Sequence, residues 1–417
     1  MKLYKKLKTP KGIFMMLVLF LDVAAIISFA ITKGDSLKYL VWHAGTWGIY
    51  PDLFESLKDA SMSNPYETGA IYPALVYSVL SFLSGTNVQK WQDWGGISVQ
   101  YTGFIVGSLF FLLATIILCN IISKILKLTY EQAILFSVIV TLSPGYLFML
   151  ERGNLVIIAV ILILIYTEYY QSENAYLKEI ALISLAIAAN FKIYPAILGL
   201  LLLIKKDYKS AVRCIIYALL LFVVPFGMKG GFSQIQTMVS NIFTFSKKAN
   251  GNLAGWGYGF RVNIANVATA ILMHFGIGEK TIELICRSLE VAYVMISVAG
   301  AIIAQKQWQK VFALVSIMVL VPGFSWIFTE MYLFVPLTFF LKEETRLNKM
   351  NLFYIFWMAL IFAPLPYGEI CKGLPGIQNI TYSNLFGTVA TVIITVSFLV
   401  ASWKKKIDVK RNISKQS

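Results

Sequence analysis

Five acids fall on one short stretch of an otherwise very apolar chain. The segment from Gly34 to Tyr72 carries Asp35, Asp52, Glu55, Asp59 and Glu67, five of the twenty-one acids in the sequence. It also carries Trp42, Trp47, Tyr50, Tyr66 and Tyr72. A carboxylate at a membrane surface can deprotonate a hydroxyl, and aromatic rings can stack on a sugar, although an interfacial aromatic belt explains the rings equally well. Far along the chain, two cations stand in apolar surroundings: Arg152 in MLERGNLVII and Lys192 in ANFKIYPAILG. Each has a plain reading, Arg152 in a Glu–Arg surface turn and Lys192 as a solvated lysine between two short spans. Each also suits a phosphate, and Arg152 offers the planar fork that matches one. Glu330 and Tyr332 lie in GFSWIFTEMYLFVP, and Asp22 sits inside the first apolar stretch. Charged groups in lipid are costly and mark function, though Asp22 reads more simply as a helix-to-helix hydrogen-bond partner. Asp52 follows a proline and could only cap a helix, as could Asp35 just beyond Gly34.

The elements that must position these groups are membrane helices. Hydrophobic residues make up 58% of the 417, and the mean hydropathy is +0.71, beyond what a soluble domain shows. Stretches such as 13–31, 101–122, 211–226 and 385–401 approach the length that crosses a bilayer as helix. The first has no small-residue cleavage site behind it and is read as retained. The net charge of +15 lies mainly in loops and tails, among them MKLYKKLK, KKDYKSAVR, KQWQK and KKKIDVKR. Such runs set topology and attract anionic lipid, and they argue against nucleic acid as a partner. The cysteines and the two histidines show no metal-ligand or disulfide spacing.

Placing the basic loops inside predicts an all-α, polytopic bundle of about twelve crossings, eleven to thirteen by the ambiguity of the short ones. The spans are expected at about 13–32, 98–122, 132–150, 154–170, 179–191, 193–204, 210–227, 286–305, 308–322, 326–341, 350–366 and 383–402. Both termini then lie in the cytoplasm, and 404–417 is a basic cytoplasmic tail. Residues 33–97 form a first extracytoplasmic loop with a surface helix at 71–86, and 228–277 form a second, a loop to 262 and then a surface helix. No internal repeat is visible, and one membrane domain spans 1–417.

Four pieces resemble, in order, the GT-C class of membrane glycosyltransferases that use polyprenyl-phosphate sugars. Nearest is glycosyltransferase family 87, the polyprenol-phosphate mannosyltransferase-like group. They are a loop aspartate followed by NPYETGAIYPAL (64–75), ERGN (151–154), NFKIYPAILGLLLLIKKDYKSA (190–211) and FSWIFTEMYLFVP (324–336). The third also looks like the matching stretch of the dolichol-phosphate-glucose transferases. The likeness covers the first half of the chain and one late span. The family often has a second proline where this chain reads Tyr72-Pro73-Ala74. Its aspartate tends to follow span one directly, so Asp35 competes with Asp52.

The resemblance implies an inverting transfer of a hexose from a polyprenyl-phosphate donor to a lipid-linked or cell-wall glycan on the outer face of a cell membrane. Asp52, or else Asp35, would be the base; Lys192, Arg152 and Tyr194 would hold the donor phosphate; Tyr66, Tyr72, Asn154, Trp326 and Glu330 would bind substrate. It implies no cofactor and no essential metal, with divalent stimulation left open. Two other readings use the same features. One is a transporter or flippase for lipid-linked saccharides, which would spread charges through several spans. The other is a polymerase or ligase using Lys247, Lys248, Trp256 and Arg261 of the 228–262 loop.

Overall fold

The computed structural model describes residues 9–42, 49–84, 92–93, 98–99, 101–250, 260–370 and 380–414. Trp47 and Trp256 lie outside them. Among the described residues the chain is all-α apart from two short antiparallel pairs, Gln92–Asp93 with Ser98–Val99 and Glu369–Ile370 with Ile380–Thr381.

Five described helices are long and apolar enough to cross a membrane: Pro10–Ile31, Phe104–Leu126, Tyr208–Met228, Glu279–Ile303 and Tyr382–Trp403. The first shows how the local sequence sets such an element. Thr9 caps it by accepting from the Gly12 amide at 3.1 Å, Pro10 occupies the first turn, and left-handed Lys33 and Gly34 end it. Its 22 residues reach ~33 Å, the thickness of a hydrocarbon core. Phe104–Leu126 exposes Leu109, Leu113, Ile116 and Ile117 while burying Phe111, Ala114, Leu118 and Ile122. An apolar face of that size belongs against lipid.

Other expected crossings come out shorter or broken. The stretch 132–150 is bent at Ser143, between Tyr130–Leu142 and Pro144–Arg152, because the residue before a proline is pushed out of the α region. The stretch 193–204 is a 3-10 helix, Tyr194–Gly199, running into Leu200–Ile204. Val156–Tyr169, Gln307–Leu320 and Lys349–Phe362 have 14 residues each, or ~21 Å, less than a bilayer core. The 228–262 stretch, expected to be loop, contains the helix Gln234–Asn250. Apolar Ile235, Met238, Val239 and Ile242 recur along it at helical spacing.

By backbone packing the chain forms two compact units: 1–39, 134–144 and 256–417 in one; 40–133 and 145–255 in the other. In the first, every residue of the Gln307–Leu320 helix from Val311 onward is buried. Trp308 at its start packs edge-on to Phe340 and Tyr354, and its indole donates to Glu344 at 2.9 Å. In the second, Val156–Tyr169 packs along Ala175–Phe191, and Pro51–Ser61 along Ala74–Ser84. The last of these is the expected 71–86 helix, with Ala74, Val76, Tyr77 and Leu80 buried.

Candidate functional site

The second unit gathers one carboxylate and two cations from segments about a hundred residues apart. Pro51 opens the Pro51–Ser61 helix, with Asp52 in its first turn. The residue at the cap is Tyr50, left-handed at φ 62° and without a side-chain cap. A buried non-glycine residue there is strained and must be held by its surroundings. Its amide donates to the Glu151 carbonyl at 3.0 Å. Its hydroxyl lies 3.1 Å from Ser108 Oγ, and its ring packs against Phe111.

Asp52 does not cap its own helix through its side chain. Its Oδ1 accepts from Arg152, through Nε at 3.0 Å and through Nη2, and its Oδ2 accepts from Asn154 Nδ2 at 2.7 Å. The two side chains of the ion pair are only 13% and 18% exposed, so solvent screens the pair little. The Arg152 guanidinium also lies over the Trp42 ring, 5.1 Å from its centre.

Every residue of the ERGN stretch serves this joint. The Glu151 carbonyl receives Tyr50, and the Arg152 side chain receives Asp52. Gly153 turns the chain at φ +66°, where a Cβ would come within 2.7 Å of Tyr50 Cα. Asn154 donates to Asp52 while its Oδ1 accepts the Val156 amide at 3.1 Å, opening the next helix. The Gly153 position has no room for a side chain.

Lys192 ends the Ala175–Phe191 helix. Asn190 fixes that end, donating to the Ala186 and Ala218 carbonyls at 2.9 and 3.0 Å. Lys192 Nζ donates to the Tyr72 hydroxyl at 2.7 Å and sits 4.3 Å from the ring centre. Burial, and after it the charges of Asp52 and Glu55, keep the Tyr72 hydroxyl protonated well above its ordinary range. Tyr194 adds to that effect and Arg152 opposes it; burial brings the Lys192 ammonium down to about 8, with the Asp52 charge opposing. Asp52, Arg152, Asn154, Lys192, Tyr72 and Tyr194 are therefore neighbours in one unit. Asp59, seven residues along the helix, is pushed up to about 6 by burial and then by Glu55.

Tyr66 plays a packing part. It is 1% exposed, its ring stacks on Phe226, and its hydroxyl donates to the Tyr72 carbonyl at 3.2 Å. Two further residues hold this loop, and sequence reasoning missed both. Lys229 donates to the Ala60 and Met62 carbonyls at 2.6 and 3.3 Å, where the Pro51–Ser61 helix ends. Asn241 donates to the Tyr66 and Ala70 carbonyls at 2.9 and 3.1 Å. A lysine just past an apolar span reads as a topology mark, and an asparagine on an amphipathic helix reads as surface. Neither carried a local signal.

The remaining expected site residues belong to the first unit. Asp35 sits on an exposed 3-10 turn, paired with Lys38 at 2.6 Å and 67% exposed. Trp326 is buried, stacked on Phe324, and its backbone bridges to Arg261. Glu330 is 3% exposed, with no hydrogen-bond partner for either oxygen. Among the described residues no group of three or more His, Cys, Asp or Glu could hold a metal ion. Comparisons of the chain with protein-family models, with curated proteins and with solved structures return no match.

Proposed function

We propose that this helical membrane protein is an inverting glycosyltransferase with a GT-C-like bundle. It would move a mannose- or glucose-like hexose from a polyprenyl-phosphate donor to a lipid-linked or cell-surface glycan acceptor on the outer face of the membrane. The observation that carries the reading is the Asp52–Arg152–Asn154 joint beside Lys192 and Tyr72. An ionised carboxylate next to two cations and a protonated phenol offers a base and a phosphate seat together.

In the resting protein Arg152 neutralises Asp52. The donor phosphodiester matches the guanidinium fork as a carboxylate does, and it gains a second negative charge as its bond to C1 breaks, so its claim on Arg152 grows along the reaction. As Arg152 turns to it, with Lys192 and the Tyr72 hydroxyl as further donors, Asp52 is freed to accept a proton. The acceptor hydroxyl oxygen then attacks C1 of the hexose from the face opposite the phosphate. The new C–O bond forms as the C1–O bond to phosphate breaks, and the electron pair leaves on polyprenyl phosphate. Asp52 takes the hydroxyl proton. The leaving phosphate needs no general acid.

Purified protein supplied with radiolabelled polyprenyl-phosphate hexose and a membrane-lipid acceptor tests this. Asp52→Asn should lower transfer by about 10²–10⁴-fold, the range for a lost general base, while Asp35→Asn retains it. The reverse pattern passes the role to Asp35, and transfer untouched by either change rejects the reading. Lys192→Met should raise the donor KM about tenfold or more, the worth of one charged hydrogen bond.

A further inference from the structure

The first unit contains an acid of a different kind. Glu330 lies in the 3-10 helix Ile327–Leu333, and both of its oxygens are buried without a hydrogen-bond partner. The carboxyl is seated against Gly387, where an added Cβ would fall 2.1 Å from Oε1. Only a glycine in the last membrane helix admits it.

That helix is polar on the same side. Asn384, Thr388, Thr391 and Thr395 follow one another at spacings of four, three and four residues, one stripe of a helix, and all are at most 2% exposed. Asn384 donates to the Arg261 carbonyl at 2.5 Å and Thr388 to the Val262 carbonyl at 3.0 Å. Thr391 donates to the Gly387 carbonyl at 2.8 Å, on the turn that Glu330 abuts. The Thr395 hydroxyl meets Tyr293 at 3.0 Å, and Ser297, one turn beyond Tyr293, is fully buried. From Asn384 to Thr395 the stripe runs ~16 Å along the helix. Hydroxyls and amides in a membrane bundle bond along and across its helices, and an ionisable side chain beside them with no such bond of its own marks a functional site.

We propose that Glu330 is a proton-binding site, and that this polar seam is the hydrated path by which its proton exchanges with solvent. A buried carboxylate with no donor turned towards it is costly, and taking a proton from a hydronium in the seam leaves a neutral acid and a water. The other titratable groups of the elements around it do not replace the proton. The Arg261 guanidinium is directed onto the Phe324 ring, 4.9 Å from its centre. Tyr332, on the same 3-10 turn, is neutral as a phenol. Lys310 is ten residues from the Leu320 end of its helix, and Lys342 and Glu343 are eight and nine from the Phe334 end of theirs, the ends that approach Glu330. Asp22, in the Pro10–Ile31 helix, is the other acid of this unit buried without partners for its oxygens, among the described residues.

Infrared spectroscopy of the purified full-length protein in lipid nanodiscs tests the site. At neutral pH the Asp22→Asn protein should show a protonated-carboxyl C=O band that Glu330→Gln removes. In D2O the band should shift within minutes, and Thr391→Val should slow the shift about tenfold without changing its amplitude. Should Glu330→Gln not fold, Glu330→Asp should move the band in frequency. A band insensitive to every Glu330 change overturns the site. A band that fails to shift over hours, or shifts equally fast in Thr391→Val, overturns the seam.

Discussion

Asp52 and Glu330 are both carboxylates in a chain made mostly of apolar side chains, and their surroundings could hardly differ more. Asp52 receives two donors from Arg152 and one from Asn154, while Glu330 receives none. The first is hydrogen-bonded by partners brought from a hundred residues away. The second is an acid left where only a neutral form is cheap. Ionic surroundings suit exchange with an anionic ligand, because a phosphate can take over the cation that the carboxylate gives up. Apolar surroundings suit exchange with nothing larger than a proton.

The largest expected effect breaks the partnered side. Arg152→Ala leaves the largely buried Asp52 with the Asn154 amide as its donor, and losing one member of a shielded ion pair costs about 3 kcal/mol. Denaturant unfolding in detergent should show that loss, and adding Asp52→Asn should recover most of it without restoring transfer. If the double variant is no more stable than Arg152→Ala, the carboxylate was never held as an ion by that arginine. Glu330→Gln should shift the same unfolding curve by under about 1 kcal/mol, since it replaces one neutral group by another of similar shape.

Next in size is the joint itself. Gly153→Ala puts a methyl 2.7 Å from Tyr50 Cα at a φ of +66°, and backbone cannot step aside as a flexible side chain can. A cost of about 2–3 kcal/mol is expected, combining left-handed strain with the collision. Gly34→Ala, at φ +88° with nothing within 4 Å, should cost only about 1 kcal/mol from conformation alone. Equal costs at the two glycines would mean that the Tyr50–Gly153 approach is looser than the structure has it.

Much of this contrast was readable from residue types and little of it from local rules. Arg152 and Lys192 stand out because cations in apolar stretches are rare, and Glu151-Arg152 reads as a surface turn. What no local pattern shows is that the Tyr50 amide seeks the Glu151 carbonyl and Asp52 seeks Arg152. Those are tertiary pairings, and by local rules Asp52 was equally good as a helix cap. Short crossings were blurred for a related reason. Hydropathy runs straight through Ser143-Pro144 and through Ile193 to Ile204, whereas the backbone breaks or tightens to 3-10 geometry there. Glu330 was visible as an acid in the wrong solvent, but its contact with Gly387 joins positions 57 residues apart.

The unpartnered side can be sharpened by a coupling measurement. Gly387→Ala should displace the Glu330 carboxyl, whose Oε1 lies where the methyl must go, and cost about 1–2 kcal/mol. Truncating Glu330→Ala removes the obstacle, so the two changes together should cost less than their sum. Strict additivity would show that Glu330 rests elsewhere.

The smallest effect belongs to Asp59, which shares the Asp52 helix but whose carboxylate, among the described residues, accepts only from Thr68, at 3.4 Å. Burial and then Glu55 raise it from 3.8 to about 6. Its folded form therefore holds a proton more tightly than its unfolded form, so stability falls as pH rises between those two values and stays lowered above them. Asp59→Asn should raise the midpoint of thermal unfolding by about 1–2 °C at pH 7.5, a fraction of a kcal/mol in a chain this long, and leave it unchanged near pH 3.5. Asp52→Asn should do the opposite at pH 7.5, lowering the midpoint, because it removes the acceptor of Arg152. An increase for both variants would place Asp52 with Asp59 among the strained acids and dissolve the distinction between partnered and unpartnered carboxylates.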